Sequence, residues 1–428
     1  MNQPNRTTPP QAHPIGHITY LTPTEHCLSN GVKIYAINGG SEEVAKIDLI
    51  FNAGLWHQSK NQMAMLANLM INEGTTKHTA HQIAEEIDFY GAYLNLSIDQ
   101  HYSHISIVTL NRYLKEILEI TAEIITSSTF PQNRLDTLIA KRKHKFQIEN
   151  EKVKTLCLKK FSQVLFGEEH PYSNNNKLED FDCLSKDDLY TFYKKHYTPD
   201  NCRIIVSGKI SDRTINLLEE FLGAEKWPCQ KTVSAQSFDI TPQNSKKYFI
   251  EKKDAIQAAI RVGKALFNKT HPDYAGFQIL NTILGGYFGS RLMTNIREEK
   301  GYTYGIGSAL VSLEQAGYFF ISSEVGNEVY RPALNEVYKE IARLREELVP
   351  QEELEVVRNY MLGDLLRDFD GPFSQAGSFK EILFYGMDNT FYDNVANTIR
   401  TIDSKEIQRL AQKYLQEDTL IEVVAGKK

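Results

Sequence analysis

The sequence predicts an α+β protein made of two homologous domains, each a mainly antiparallel sheet packed with helices. Three observations carry that expectation. Residues 189–210 (LYTFYKKHYTPDNCRIIVSGKI) and 407–428 (IQRLAQKYLQEDTLIEVVAGKK) share one plan: a helix ending at a tyrosine, a polar turn, a β-branched strand and a Gly-Lys close. Gly208 and Gly426 are 218 positions apart, Tyr197 and Tyr414 217 apart, Gly91-Ala92-Tyr93-Leu94 and Gly301-Tyr302-Thr303-Tyr304 210 apart, and Asn68 and Asn281 213 apart. Matches in one order at nearly one spacing indicate an internal duplication. Finally, strand patterns cluster between helices without strict βαβ alternation, which favours antiparallel pairing.

Taken in order, residues 1–17 are polar and proline-containing and are expected to be a flexible tail. The first domain, 18–225, opens with β-branched strands at 32–36 and 45–52. An amphipathic helix follows within 61–75 (NQMAMLANLMINEGT), closed by Gly74-Thr75. Strands are expected within 93–110 and a charged helix at 112–126. The run Lys141-Arg142-Lys143-His144-Lys145 lies in a charge-rich helical stretch and reads as a solvated face. A polar segment without apolar period, 226–247, is the expected linker. The second domain, 248–428, repeats the plan with strands at 247–251 and 257–262, strands within 303–323 and a helix at 328–347. Leu284-Gly285-Gly286-Tyr287-Phe288-Gly289 has the wrong spacing for dinucleotide binding and is expected to allow a tight or mobile turn before the Arg297 helix.

Composition narrows function by exclusion. With 428 residues, 41% of them apolar and 24% charged, the chain resembles ordinary globular proteins. A net charge of -6 argues against general nucleic-acid binding. No apolar run reaches the ~20 residues a spanning helix needs, and the first residues lack a secretory apolar region, so a cytoplasmic protein is expected. The five cysteines are odd in number and form no C-x-x-C pair, which suggests reduced thiols.

Chemistry-bearing residues are few. The helix near 288–300 is expected to end at a left-handed Gly301, with a strand starting directly after it. Arg297 on the last turn and Tyr304 on the strand, seven positions on, can then meet at one point as two donors for a carbonyl oxygen or oxyanion. The same residues also read as an arginine paired with a neighbouring glutamate and a half-buried sheet tyrosine. His78, His81 and Glu85, and the pair His101 and His104, read as solvated or capped groups rather than metal ligands, and the methionines Met63, Met65 and Met70 as core filling.

The segment 290–308 (SRLMTNIREEKGYTYGIGS) closely resembles the start of the C-terminal half of the insulinase-like, or M16, metallopeptidases. The resemblance extends to Glu73-Gly74-Thr75, Gly91-Ala92-Tyr93-Leu94-Asn95, Leu165-Phe166-Gly167 with His170-Pro171, and the duplication itself. It is most similar to the smaller bacterial and mitochondrial-processing branch. The resemblance implies a chain forming half of a clamshell, with Arg297 and Tyr304 assisting at the scissile carbonyl. It also implies a His-x-x-Glu-His motif in the first helix, and here that frame holds Met65, Leu66, Ala67, Asn68 and Leu69. A thioether and an alkyl group in place of two imidazoles, and an amide in place of the base, do not make a zinc site. The family's third ligand, a glutamate, falls near Lys145 and Phe146, with Glu149 the nearest acid.

The expectation that follows is a non-catalytic subunit with no metal of its own, paired with a homologous chain that carries the motif and the zinc. Peptide substrate would lie along the strand begun by Gly91, Ala92, Tyr93, Leu94 and Asn95. A homodimer is open for the isolated chain. The alternative is a binding or scaffold protein that has lost peptidolysis.

Overall fold

Among the described residues, eleven strands form two sheets that share one strand order. The computed structural model describes residues 7, 15–16, 18–173, 175–227, 237–243 and 245–428. Most of the expected tail 1–17, much of the expected linker 226–247 and Cys229 lie outside the described residues.

The first half runs β1 (Thr24–Cys27), β2 (Lys33–Asn38), β3 (Val44–Phe51), α1 (Met63–Met70), α2 (Ala80–Phe89), β4 (Tyr93–Ile98) and β5 (Ser103–Leu110). It continues with α3 (Leu114–Ser127), α4 (Gln132–Asn150), α5 (Val153–Phe166), α6 (Lys186–His196), β6 (Cys202–Gly208) and α7 (Asp212–Leu222). The second half runs β7 (Lys247–Glu251), β8 (Gln257–Leu266), α8 (Tyr274–Asn281), β9 (Thr303–Ser312), β10 (Gly317–Gly326) and α9 (Tyr330–Glu346). Then come α10 (Gln351–Asp368), α11 (Gly371–Leu383), α12 (Thr390–Thr401), α13 (Ser404–Tyr414) and β11 (Ile421–Gly426).

The sheets are ordered β1-β2-β6-β3-β5-β4 and β7-β11-β8-β10-β9. In each, one pair is parallel, β2 with β6 and β7 with β11, and the other pairings are antiparallel. Strand β1 apart, the second sheet repeats the first strand for strand. The two matched glycines also correspond in conformation: Gly91 has φ 61° and Gly301 has φ 66°, and each stops a helix just before an edge strand. A residue with a Cβ is strained at that φ, which is why glycine stands at both places.

Each half has its own core. One gathers β2, β3, β5 and β6 with α1 and α3, and the other gathers β8, β10, α8, α9 and α13. The halves are also laced together. Helix α5 leaves the first half and packs on β8 and β11 of the second sheet, burying Phe161, Val164, Leu165 and Phe166. Helix α11 does the converse, covering β2 and β6 through Ala376 against Ile37 and Ile205. Both helices follow the longest helix of their own half, so the duplication carries a reciprocal exchange. Each buried side chain of this size contributes about 1.5–3 kcal/mol, so α5 alone anchors the halves firmly. Ile15 and Ile18 pack on the second core, and Gly16 accepts a hydrogen bond from Arg400 at 2.6 Å.

Two local expectations are refined by the structure. The expected turn before the Arg297 helix is confined to 287–290, because Thr282–Gly286 continues α8 as a π-helical segment. Gly285 is needed there for a close approach, since a Cβ would sit 2.6 Å from Ser308 Oγ and 2.9 Å from its backbone nitrogen. His101 and His104, expected to be solvated or capped, are both buried. His101 Nε2 lies 2.6 Å from the Tyr172 hydroxyl, and His104 Nε2 lies 2.8 Å from Asp99 Oδ2.

A degenerate helix face and a retained arginine–tyrosine pair

Helix α1 is buried along Met63, Ala64, Leu66, Ala67, Asn68 and Met70, which leaves Met65 and Leu69 half-exposed. Residues four apart share a helix face, so Met65 and Leu69 stand side by side. That shared face is where two metal-binding imidazoles would be offered; it presents only a thioether and an alkyl group.

Asn68 is 1% exposed and serves the core. Its Nδ2 donates to Ser103 Oγ at 2.6 Å and to the Tyr197 hydroxyl at 3.2 Å, and those two hydroxyls are themselves 2.6 Å apart. The trio ties α1 to β5 and to the end of α6. Burial pushes the Tyr197 phenol up to about 12, so it stays a neutral donor and acceptor. On α4, Lys145 is exposed and Phe146 packs against Phe181 with ring centroids 5.7 Å apart. Glu149 accepts from Lys152 at 2.7 Å, and that hydrogen bond lowers its carboxyl below the usual range. Among the described residues, no group of three or more His, Cys, Asp or Glu could hold a metal. Zinc does not fit this donor set.

His78 and His81 are accounted for by carboxylates. His78 Nδ1 lies 2.9 Å from Glu123, and His81 Nδ1 lies 3.0 Å from Glu85 on an exposed helix face. The basic run on α4 is partly to fully exposed.

Beside α1 lies β4, the edge of the first sheet. It starts from a Schellman closure of α2: Gly91 N–H donates to Asp88 O and Ala92 N–H to Ile87 O, each at 3.0 Å. Leu94 and Leu96 pack inward while Tyr93 and Asn95 face solvent. Among the described residues the strand pairs only with β5, so its outer edge can accept another strand.

The second half brings Arg297 and Tyr304 together. Arg297 lies in a π-helical segment, Met293–Glu299, whose end is closed by Lys300 N–H to Asn295 O and Tyr302 N–H to Ile296 O, both 3.0 Å. Its Nε donates to the backbone carbonyl of Tyr304 at 3.0 Å. Its guanidinium carbon lies 4.6 Å from the Phe288 ring centroid and 5.9 Å from that of Tyr304. The nearest carboxylate, Glu298, is 3.9 Å away. The Tyr304 side chain is 94% exposed, so neither a half-buried tyrosine nor a tight Arg–Glu pair describes the site.

What fixes the Tyr304 backbone was not visible in the sequence. The β9–β10 ladder shifts register between Ser323 and Val325. Thr303 Oγ1 there donates to Glu324 O at 2.7 Å, while Ser323 Oγ donates to Gly305 O at 2.9 Å. A bulge of this kind re-aims a side chain, here the phenol. The Thr303 and Ser323 hydroxyls, on facing strands at that register shift, carry the only sequence trace of it.

Comparison with known proteins fits this geometry. The sequence-family model described as "Insulinase (Peptidase family M16)" matches residues 33–168, and "Peptidase M16 inactive domain" matches residues 184–361. The "Uncharacterized zinc protease YmxG" of Bacillus subtilis is 23% identical over 404 residues, covering 94% of this chain and 97% of that protein. The "Non-peptidase homolog YmxG" of Helicobacter pylori is 24% identical over 391 residues, covering 89% of each. Among solved structures, an M16 inactive domain from Pseudomonas fluorescens superposes with a TM-score of 0.86 at 22% identity, over 95% of this chain and 99% of that one. A protease from Helicobacter pylori gives 0.87 at 16% identity, over 95% and 100%.

Proposed function

Because the chain belongs to the M16 peptidase family, we propose that it is the non-catalytic subunit of a two-chain zinc peptidase. Its partner is a homologous chain bearing His-x-x-Glu-His, which supplies the metal and the base. This chain supplies Arg297, Tyr304 and a surface on which an extended peptide lies, with the β4 edge offering backbone hydrogen bonds.

The observation that carries the proposal is the contrast between the two sites. The metal-binding face has become a methionine, a leucine and a buried structural asparagine, whereas Tyr304 projects 94% exposed from a bulge that holds its backbone. A side chain with no packing role, held by such a device, is suited to a substrate brought from outside. The phenol would donate to the scissile carbonyl oxygen as charge develops on it, with the guanidinium beside it adding positive potential. The scaffold reading draws on a different fact: the Arg297 Nε is already engaged by the Tyr304 carbonyl.

Replacing Tyr304 by phenylalanine separates the two. Loss of one oxyanion donor should lower kcat of the assembled pair on the order of 10²–10³-fold. The zinc content of the partner and the stability of the complex should stay unchanged. Equal turnover by the variant sinks the trans-acting role.

A further inference from the structure

On the β9 side of the second sheet, a recess of about 300 Å³ lies between Tyr304 and the first turns of α5. Its walls include Lys154 and Cys157 from α5, Arg261 from β8, and Ser322 and Glu324 from β10. Arg261 is the anomaly. It is 9% exposed, and among the described residues it has no carboxylate at ion-pair distance. Its Nη1 is buried without a hydrogen-bond partner. The guanidinium carbon sits 4.2 Å from the Phe320 ring centroid and 5.5 Å from that of Phe161. Those rings hold it in place and leave the Nη1 donor unspent.

Burying a guanidinium without a counter-charge is costly, and a methionine of similar length would fill the same slot between two phenylalanines more cheaply. The arginine makes physical sense when an anion arrives. Lys154, exposed on the first turn of α5, and the amino end of that 14-residue helix add positive potential at the rim. Among the described residues Glu324 is the one acidic side chain in the lining, which leaves the recess net positive. The Cys157 thiol, pushed up to about 12 by burial, contributes no negative charge.

We propose that this recess is an anion subsite in which Arg261, backed by Lys154, takes a carboxylate of the bound peptide. That carboxylate is either the peptide's free C-terminus or an acidic side chain near it. The inference rests on the reading of the Tyr304 surface as a peptide-holding wall. It adds that the peptides are selected for negative charge at this point. A guanidinium shielded by two rings gives a planar, water-poor donor pair suited to a carboxylate.

The test uses this chain alone and three fluorescein-labelled hexapeptides of one sequence: free acid, C-terminal amide, and amide with glutamate at the penultimate position. Anisotropy should show the free acid or the glutamate amide binding on the order of tenfold tighter than the plain amide, and which of the two does so identifies the source of the carboxylate. Arg261→Met should erase the difference while melting at the same or a higher temperature than the parent, a result that a structural role for the arginine would reverse. Should that variant not fold, exposed Lys154→Gln should still narrow the difference several-fold. Equal affinity for all three peptides, or an undiminished difference in Arg261→Met, overturns the subsite, as does failure of all three to bind. None of these results bears on turnover by the assembled pair, which tests the shared-site reading separately.

Discussion

Replacing Asn68 by aspartate turns one amide nitrogen into a charged oxygen at a position 1% exposed. The parent amide donates to Ser103 Oγ at 2.6 Å and the Tyr197 hydroxyl at 3.2 Å. In the variant both hydroxyls must turn to donate to the carboxylate, and doing so breaks the 2.6 Å bond they share. Two weak donors do not replace the water lost, so the ionised form should cost about 2–4 kcal/mol. The folded-state pKa of the new carboxyl is therefore raised above its unfolded value. The penalty is absent below the unfolded pKa and reaches its full size above the folded one. Asn68→Ala provides the control: it loses two neutral hydrogen bonds, costs about 1–2 kcal/mol, and costs the same at every pH. Urea unfolding of parent and both variants at pH 8 and pH 5, compared at matched pH, reads the effect. If the aspartate costs no more than the alanine at pH 8, or costs as much at pH 5, then position 68 is not sequestered. The account of α1 as a face converted to structural use would then fail.

Two further outcomes follow from close packing and burial elsewhere in the fold. Gly285→Ala places a Cβ 2.6 Å from Ser308 Oγ and should cost about 1–3 kcal/mol by forcing the π-helical segment off β9, as seen by thermal melting; an unchanged melting temperature contradicts the close packing. His101 and His196 are both held neutral by burial, with pKa values lowered to about 4, so between pH ~6.5 and 4 the unfolded chain binds protons that the native chain does not. Stability should fall as pH drops through that window, by up to about 3 kcal/mol per histidine, and burial of Glu314, which raises its carboxyl, offsets part of that. Denaturant midpoints from pH 7.5 to 5 check this, and a flat profile contradicts it.

Much of the architecture was legible because its periods are strong. The strand expected at 247–251 is β7 to the residue, and those at 32–36, 45–52 and 257–262 correspond to β2, β3 and the start of β8. The helices expected at 112–126 and 328–347 begin two residues late, as α3 and α9. Gly301 signalled a left-handed helix stop and takes it, and its repeat partner Gly91 takes the same conformation. What was missed depends on partners that a linear pattern does not name. The strand β1, Thr-Glu-His-Cys, has no apolar alternation and exists because β2 offers it an edge. Helix α5 follows a charge-rich stretch, and nothing in its linear pattern says that a sheet of the other half covers it. The π-helical segments depart from the 3.6-residue period on which helix patterns are read. His101 was read as solvated or capped because its partners Tyr172 and Glu314 come from distant sequence, whereas His104 pairs with the nearby Asp99. At the candidate site, the loss of the metal face and the Arg297–Tyr304 spacing were readable. The bulge that aims Tyr304, and Arg261 near it, were not, since both arise from cross-strand register.

The most direct measurement is hydrolysis of a quenched-fluorescent peptide library by this chain alone, by a homologous chain bearing His-x-x-Glu-His alone, and by their equimolar mixture. Turnover in the mixture only, abolished by a chelator, is the predicted result. No gain on mixing, or turnover by this chain alone, would contradict a subunit that lends Arg297 and Tyr304 to a partner's zinc site.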